Sequence, residues 1–276
     1  MEFSMNATWA RAVELVRDNL QLLAVIAGIF LLLPTMAAFL LIPDFQMLMD
    51  PAADEAETAR IIEEVLGPLS ILVVVALVFN FAGYGAMVAL MGRSRPTVGA
   101  ALKTGFAIVP SMIGILLLFV IAYMIGSIAI VAPISLLASL GGAPALSIIG
   151  VVAVLVLVIW LLARLSLSLP ALVLGETRNP AKAMMRSFRL TRPRQWGIAL
   201  FWVVVFAIYG LISLLVSGVF GVIASLMGDG IAANAVLGLV NGAMSMAIGI
   251  LISAIAVAMF AQLTGPDAEK IEQTFE

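Results

Sequence analysis

Long runs without any charged residue constrain the fold of this chain more than its other features. The longest run, 104–163, covers 60 residues without Asp, Glu, Lys or Arg. The other charge-free runs are 19–43, 65–92, 165–175, 195–228 and 230–266. A soluble domain carries about 25% charged residues, whereas this chain carries 11%. The hydrocarbon core of a bilayer needs about 20 apolar residues per helix, so we expect an all-α, polytopic integral membrane protein.

The charge-free runs divide into six predicted membrane spans. Run 104–163 would be about 90 Å long as one helix, so it must reverse. Gly141-Gly142-Ala143-Pro144 supplies the turn, because Gly-Gly and a nearby Pro break helices, and Gly228-Asp229-Gly230 marks the next reversal. The predicted spans are 20–42, 68–91, 106–131, 145–167, 198–226 and 233–263. We expect them to form a single membrane domain over residues 1–276.

The distribution of Lys and Arg predicts how the spans are oriented. If six helices alternate in direction, 12 of the 14 basic residues fall on one side of the membrane. The opposite side holds Arg60 alone, and Arg164 lies near the end of span four. Basic residues favour the cytoplasmic side, so we expect both termini to be cytoplasmic. An acidic outer loop would then follow span one, with a short helix from Asp50-Pro51 to Leu66.

A secretory signal peptide is the alternative interpretation of the N-terminus. The apolar run that begins near Leu20 continues well beyond the 7–15 residues of a typical signal core. No clear small-x-small cleavage site closes this run. We therefore expect an uncleaved first span.

The chain contains no Cys and no His, which excludes much of the usual chemistry of sites. Without Cys there is no disulfide or thiolate nucleophile, and without His the commonest general base and metal ligand is missing. All 16 acidic residues lie outside the charge-free runs, so no embedded carboxylate can relay protons. We therefore expect no enzyme activity, no metal, no cofactor and no nucleic-acid partner.

The spans are compatible with a threefold repeat of hairpins. A short amphipathic or polar segment precedes each odd-numbered span, and these segments begin near Trp9, Pro96 and Pro180, which are 87 and 84 residues apart. The repeating unit would be a short cytoplasmic interfacial helix followed by a two-span hairpin. Alternatively, any six-span chain of this length spaces its hairpins about evenly.

Segment 176–194 is the dense basic cluster on the predicted cytoplasmic side. Asn179-Pro180 is typical of a helix start. In the helix that follows, one face is apolar and carries Ala181, Met184, Met185 and Phe188, and another face carries Lys182, Arg186 and Arg189. A helix of this kind lies in the headgroup layer. The candidate contacts to anionic lipid or to a partner are Lys182, Arg186, Arg189, Arg192 and Arg194. The alternative is a loop that only fixes the orientation of spans four and five.

Arg164 is the candidate intramembrane polar residue. It precedes the polar turn at Gly175 by about eleven residues, so a continuous helix would bury it about 16 Å deep. Pro170 could end or kink the span near Leu167, which would let Arg164 extend towards the cytoplasmic interface. Alternatively, Arg164 faces the interior of the helix bundle and binds an anion or another polar group.

Small residues recur along one face of each of the last two spans. Span five carries Gly210, Ser213, Ser217, Gly221 and Ser225, and span six carries Gly238, Gly242, Ser245, Gly249 and Ser253. Stripes of small residues let helix backbones approach each other closely in membranes. We therefore expect both spans to pack tightly through these faces.

The stretch around the end of span four carries a family resemblance. Residues 169–176 read Leu-Pro-Ala-Leu-Val-Leu-Gly-Glu, residues 186–191 read Arg-Ser-Phe-Arg-Leu-Thr, and Ala181, Ala183 and Trp196 complete the pattern. This pattern resembles the signature loop of the YciC-like bacterial inner-membrane proteins. It also resembles the related membrane domain that is attached to some glycerophosphodiester phosphodiesterases. The chain departs from the pattern at Gly175 and at Arg-Pro-Arg, 192–194.

The resemblance implies a multi-pass protein of the bacterial inner membrane. Phosphodiesterase activity in such proteins belongs to a separate barrel domain, which needs about 250 residues, so only the membrane part is implied. We expect a non-enzymatic protein with a structural role, or one that binds anionic lipids or an unknown membrane-protein partner through its basic segment. The alternative is a transporter or channel for an anionic or lipid-like substrate, with Arg164 in the site.

Overall fold

A computed structural model describes residues 3–42, 54–66, 70–92, 96–139, 145–175, 177–228 and 230–274. Within these ranges the regular elements are helices, and no strand is present. The α-helices are α1 (Met5–Ala27), α2 (Leu33–Leu41), α3 (Glu55–Leu66), α4 (Ser70–Met91), α5 (Val98–Ala107), α6 (Val109–Ser139), α7 (Ala145–Leu165), α8 (Ser168–Val173), α9 (Pro180–Thr191), α10 (Gln195–Leu226) and α11 (Ile231–Thr274). A π-helical turn (Gly28–Leu32) joins α1 to α2, and a 3₁₀ turn (Arg192–Arg194) joins α9 to α10.

Within the described ranges, six helical stretches are long and apolar enough to cross a membrane. They are Met5–Leu41, Ser70–Met91, Val109–Leu137, Ile148–Val173, Pro180–Leu226 and Ile231–Gly265. The prediction of an all-α polytopic membrane protein with six spans is therefore confirmed. The pairing of the spans into three hairpins and the single domain stay predictions. The predicted turn at 141–144, the predicted helix start at Asp50-Pro51 and Asp229 lie outside the described residues.

The first span begins earlier than the sequence pattern predicts. Helix α1 starts at Met5 instead of near residue 20, because no Gly or Pro interrupts the chain before Gly28 and buried side chains continue through Ala12 and Leu15. The first predicted interfacial segment is thus continuous with span one. The other two predicted interfacial segments form the separate short helices α5 and α9.

One compact unit of the chain comprises Arg11–Val109 and Ala207–Ile255. In this unit α4 packs closely against α5 at Gly105. A Cβ atom at residue 105 would overlap the carbonyl of Ala82 and would lie 3.0 Å from the backbone nitrogen of Ala86. Only glycine therefore allows the two helices to approach this closely.

The two small-residue stripes behave differently. In span six, a Cβ at Gly242 would lie 2.9 Å from the carbonyl oxygen of Leu32, and Gly238 and Gly249 approach the same first span closely. In span five, no described atom lies within 4 Å of where a Cβ at Gly210 or Gly221 would stand. The prediction of close packing is confirmed for span six and is wrong for the glycines of span five, because a small-residue face permits an approach without selecting a partner.

The other compact unit comprises Met1–Ala10, Pro110–Phe206 and Ala256–Glu276. It contains α7, α8 and α9, together with Arg164 and the five predicted basic contact residues. The hydroxyl of Thr8 donates a hydrogen bond to the side-chain oxygen of Gln262 at 2.7 Å, which ties the start of α1 to α11 within this unit. The candidate site lies entirely in this unit.

Candidate functional site at the basic helix

Span four is interrupted shortly after Arg164. Helix α7 ends at Leu165, and α8 begins at Ser168 with Pro170 in its first turn. A proline inside a continuous helix lacks the N–H that would pair with the carbonyl four residues earlier, and its ring collides with that carbonyl. The proline is tolerated here because it lies in the first turn of a new helix. The predicted break near Leu167 is confirmed.

The hydroxyl of Ser187 in α9 forms hydrogen bonds on both sides of this break. It donates a hydrogen bond to the carbonyl of Arg164 at 2.5 Å and accepts one from the N–H of Leu167 at 3.3 Å. Both backbone groups lie at the interruption, where regular helical partners are missing. Ser187 itself is fully buried. One side chain of the basic helix therefore satisfies both edges of the break in span four.

The side chain of Arg164 is buried against α9, with only 8% of its surface exposed. Its Nη1 atom donates to the carbonyl of Phe188 at 2.9 Å and lies 3.5 Å from the hydroxyl of Thr191. Its Cζ atom lies 5.4 Å from the ring centroid of Trp160 and 4.9 Å from that of Phe188, both within the range of a cation–π interaction. Its Nε atom is buried without a hydrogen-bond partner among the described residues.

The start of α9 is capped as the sequence predicts. The side-chain oxygen of Asn179 accepts hydrogen bonds from the N–H groups of Ala181 at 3.0 Å and Lys182 at 3.2 Å, and Pro180 follows as the first helical residue. These bonds satisfy donors that a helix start leaves unpaired.

The first residues of α9 and the residues just before it pack against helix α6. The hydroxyl of Ser111 donates a hydrogen bond to the carbonyl of Arg178. A Cβ at Gly114 would lie 2.9 Å from the ring of Pro180, so the absence of a side chain leaves room for the proline. The beginning of α9 is therefore positioned by α6, and its middle is positioned by span four.

Helix α9 packs on the protein through a face that the sequence analysis missed. Ala183, Ser187 and Thr191 are the buried residues of the helix, and they recur every four residues. This spacing places them on one side of an α-helix. The predicted apolar face includes Met185, which is 61% exposed. The small-residue spacing was visible in the sequence, but the stronger contrast between apolar and basic side chains concealed it.

The five basic candidates do not converge on one point. Lys182, Arg189 and Arg192 are exposed. The Cζ atom of Arg186 lies 5.5 Å from the ring centroid of Phe260, and Arg194 is half-buried. Within the described part of the chain, none of these five side chains forms an ion pair with a carboxylate. The positive charge of α9 is therefore left uncompensated by the residues described around it.

The absence of a side chain at Gly175 leaves room for the guanidinium of Arg186. A Cβ at residue 175 would lie 2.5 Å from Arg186 Nη1 and 2.5 Å from the carbonyl oxygen of Ala171. A larger residue would therefore collide with the backbone of α8 and with the arginine. This contact gives a physical reason for one of the two departures from the family pattern. The acidic position that follows, Glu176, lies outside the described residues.

The described residues do not provide a candidate metal centre. No group of three or more Asp, Glu, His or Cys side chains there could hold a metal ion. The arrangement instead offers exposed guanidinium and ammonium groups on a helix that is firmly attached to the protein.

Comparison with known proteins supports the resemblance over the second half of the chain. Residues 136–269 match the family model described as the membrane domain of glycerophosphoryl diester phosphodiesterase. The match includes the end of span four, α9 and the last two spans, and it does not extend to a catalytic domain. No curated protein and no solved structure matches the chain.

Proposed function

We propose that this protein is a non-enzymatic, multi-pass protein of the bacterial inner membrane that binds anionic lipids of the cytoplasmic leaflet through α9. The observation that carries the proposal is the way α9 is attached. Its buried face is fixed to span four by Ser187 and Thr191, while Lys182, Arg189 and Arg192 stay exposed without a carboxylate partner among the described residues. A helix held in this way presents its charge to whatever surrounds the protein.

Anionic lipid is the partner that best fits the exposed surface of α9. Each Lys or Arg near an anionic leaflet contributes about 1 kcal/mol of attraction. The exposed side chain of Met185 provides apolar surface beside the basic face, and interfacial helices combine these two features. The match of residues 136–269, which include α9, to a membrane domain supports the proposal that this helix lies at a membrane.

This proposal can be tested by identifying the lipids that the full chain retains after extraction into a neutral detergent. We expect protein purified from mixed bilayers to retain phosphatidylglycerol in several-fold excess over its share of the bilayer. The double variant K182Q/R189Q should reduce this enrichment by at least about threefold, because two attractive charges are lost. Phosphatidylcholine retention should not change.

The double variant R11Q/R17Q is the matched control. It removes the same charge from α1, where Glu14 and Asp18 accompany the two arginines and Arg11 Nη1 lies 2.6 Å from Glu14 Oε2. Because these acidic neighbours already compensate the charge of the two arginines, the control variant should keep the enrichment of phosphatidylglycerol. Equal retention by wild type and K182Q/R189Q would refute the proposed role of α9.

Thiol accessibility tests the proposed orientation, and the natural absence of Cys makes it simple. Thr97 lies between spans two and three, and Met227 follows span five; both are exposed. In intact spheroplasts a membrane-impermeant reagent should label the single variant Met227→Cys but should label Thr97→Cys only after permeabilisation. The reverse pattern would contradict a cytoplasmic position for α9 and both termini.

A further inference from the structure

A cleft opens where α9 passes into α10, beside the first residues of the chain. It has a volume of about 390 Å³ and is lined by Phe3, Met5 and residues 192–197. We call it the headgroup cleft. Its volume falls in the range of about 300–1,000 Å³ that is typical of small-ligand sites. The lining belongs to one compact unit of the chain.

Two arginines give the headgroup cleft its charge. Arg192 and Arg194 flank Pro193 in the 3₁₀ turn, and no described residue of the lining is acidic. Neither arginine pairs with a carboxylate within the described ranges. A guanidinium carries a planar set of N–H donors that matches the oxygen geometry of a phosphate. The donor set of the cleft is therefore suited to a phosphate group.

Gln195 adds a further donor to the headgroup cleft. Its side-chain oxygen accepts a hydrogen bond from the indole N–H of Trp160 at 3.3 Å. An indole nitrogen can only donate, so this bond fixes which end of the Gln195 amide faces Trp160. The NH₂ group of the same amide is left as a donor on the side chain that lines the cleft.

Aromatic side chains form the apolar walls of the headgroup cleft. The side chain of Trp196 is 64% exposed, and the ring of Phe3 packs edge-on against Phe201 with centroids 6.2 Å apart. A Cβ at Gly197 would lie 3.6 Å from the Phe3 ring. Trp at the start of a span is typical of the membrane–water interface. The cleft thus places cationic donors beside apolar surface.

From this combination we propose that the headgroup cleft binds the phosphate of one anionic glycerophospholipid. Arg192 and Arg194 hold the phosphate, and the first part of an acyl chain lies along Trp196 and Phe3. A free phosphate would use the arginines but would leave the aromatic walls without a partner. The inference rests on the proposed function, since it requires α9 to lie at the cytoplasmic surface of the bilayer, and it adds a discrete site with a defined stoichiometry.

Titration of the detergent-solubilised full chain with dioctanoyl phosphatidic acid tests this inference. Native mass spectrometry counts the bound lipids, and thermal stabilisation gives the affinity of the first one. We expect one saturable lipid per chain. The variant R192Q/R194Q should weaken this binding by at least about tenfold, because both phosphate ligands are removed. The variant R11Q/R17Q, with the same change of charge on α1 and outside the lining of the cleft, is the control and should weaken it by no more than about threefold.

Two further arms separate a lipid from a free phosphate. Inorganic phosphate should bind at least about a hundredfold more weakly than the lipid, because it cannot use the apolar walls. The variant Trp196→Leu should weaken lipid binding by about threefold or more without changing the response to phosphate. It also keeps the inference testable if R192Q/R194Q does not fold. Equal affinities for phosphate and lipid would overturn the assignment to a lipid.

The outcomes distinguish failure of this inference from failure of the proposed function. If R192Q/R194Q and K182Q/R189Q lose the first lipid to the same extent, the attraction comes from the whole basic segment and the discrete site is overturned. In that case the enrichment of phosphatidylglycerol by α9 would still stand. If R192Q/R194Q keeps full affinity, the headgroup cleft is not the site, whatever the enrichment experiment shows.

Discussion

The hydroxyl of Ser187 donates a hydrogen bond to the backbone carbonyl of Arg164, a residue 23 positions earlier in the chain, and both groups are buried. This contact places the middle of the basic helix at the point where span four stops being a regular helix. The position of α9 and the end of span four are therefore determined together.

Removal of this hydroxyl should destabilise the protein. In Ser187→Ala the carbonyl of Arg164 and the N–H of Leu167 lose their partner at a buried break. Leaving buried polar groups unpaired costs about 1–3 kcal/mol, so the melting temperature in neutral detergent should fall. Ser225→Ala is the control, because that exposed hydroxyl donates to the Val222 carbonyl within its own helix. Equal melting temperatures for the two variants would contradict the bridging role.

Substitution of Arg164 should affect stability and not anion binding. Arg164→Ala removes hydrogen bonds to α9 and two cation–π contacts, which together should cost about 1–3 kcal/mol of unfolding free energy. Organic anions in a thermal-shift panel should shift wild type and variant by the same amount, because protein groups already surround the guanidinium. An anion that stabilises wild type and loses this effect in the variant would indicate a substrate site at Arg164.

Two glycines of the same helix should respond in opposite ways to alanine. In Gly105→Ala the new methyl group would overlap the carbonyl of Ala82 on α4, and overpacking of this kind costs about 1–3 kcal/mol or more. In Gly99→Ala no described atom lies within 4 Å of the new group, so stability should stay equal or rise by up to about 1 kcal/mol. Thermal unfolding in detergent measures both. Unchanged thermal stability of the Gly105→Ala variant would contradict the close approach of α4 and α5.

Neutralising two arginines of α9 should have unequal effects on stability. Arg186 lies over the ring of Phe260, whereas Arg189 is exposed and has no ring contact among the described residues. In detergent without anionic lipid, Arg186→Gln should cost about 0.5–2 kcal/mol, the range of cation–π interactions. Arg189→Gln should stay within about 0.5 kcal/mol of wild type. A larger loss of stability for Arg189→Gln than for Arg186→Gln would contradict a stabilising contact between Arg186 and Phe260.

The features that the sequence predicted well depend on local chemistry. Charge-free runs of at least the length of a bilayer crossing indicated the six spans, because an unpaired charge is costly in hydrocarbon. The cap at Asn179 and the break at Pro170 were also predictable, since each depends on one residue type with a fixed backbone requirement. Helix starts were less predictable, as the early start of α1 at Met5 shows.

The contacts that assemble the candidate site could not be predicted in the same way. From the sequence, Arg164 could lie at the cytoplasmic interface or in the bundle interior against an anion or another polar group. In the structure its side chain is buried against the carbonyl of Phe188 and the rings of Trp160 and Phe188. Such partners leave no signature in sequence, because every residue has a carbonyl. The four-residue spacing of Ala183, Ser187 and Thr191 was visible in the sequence. Nothing in the local sequence distinguished this buried stripe from the small-residue stripe of span five, whose glycines Gly210 and Gly221 have no described packing partner.

The bond between Ser187 and the interruption of span four also has a consequence for biosynthesis. A ribosome adds Leu167 to the growing chain 20 residues before it adds Ser187. During that interval both backbone groups at the break of span four have been made, but the hydroxyl that pairs with them has not. The buried carbonyl of Arg164 and N–H of Leu167 therefore gain this side-chain partner only after the segment that carries Ser187 has been synthesised.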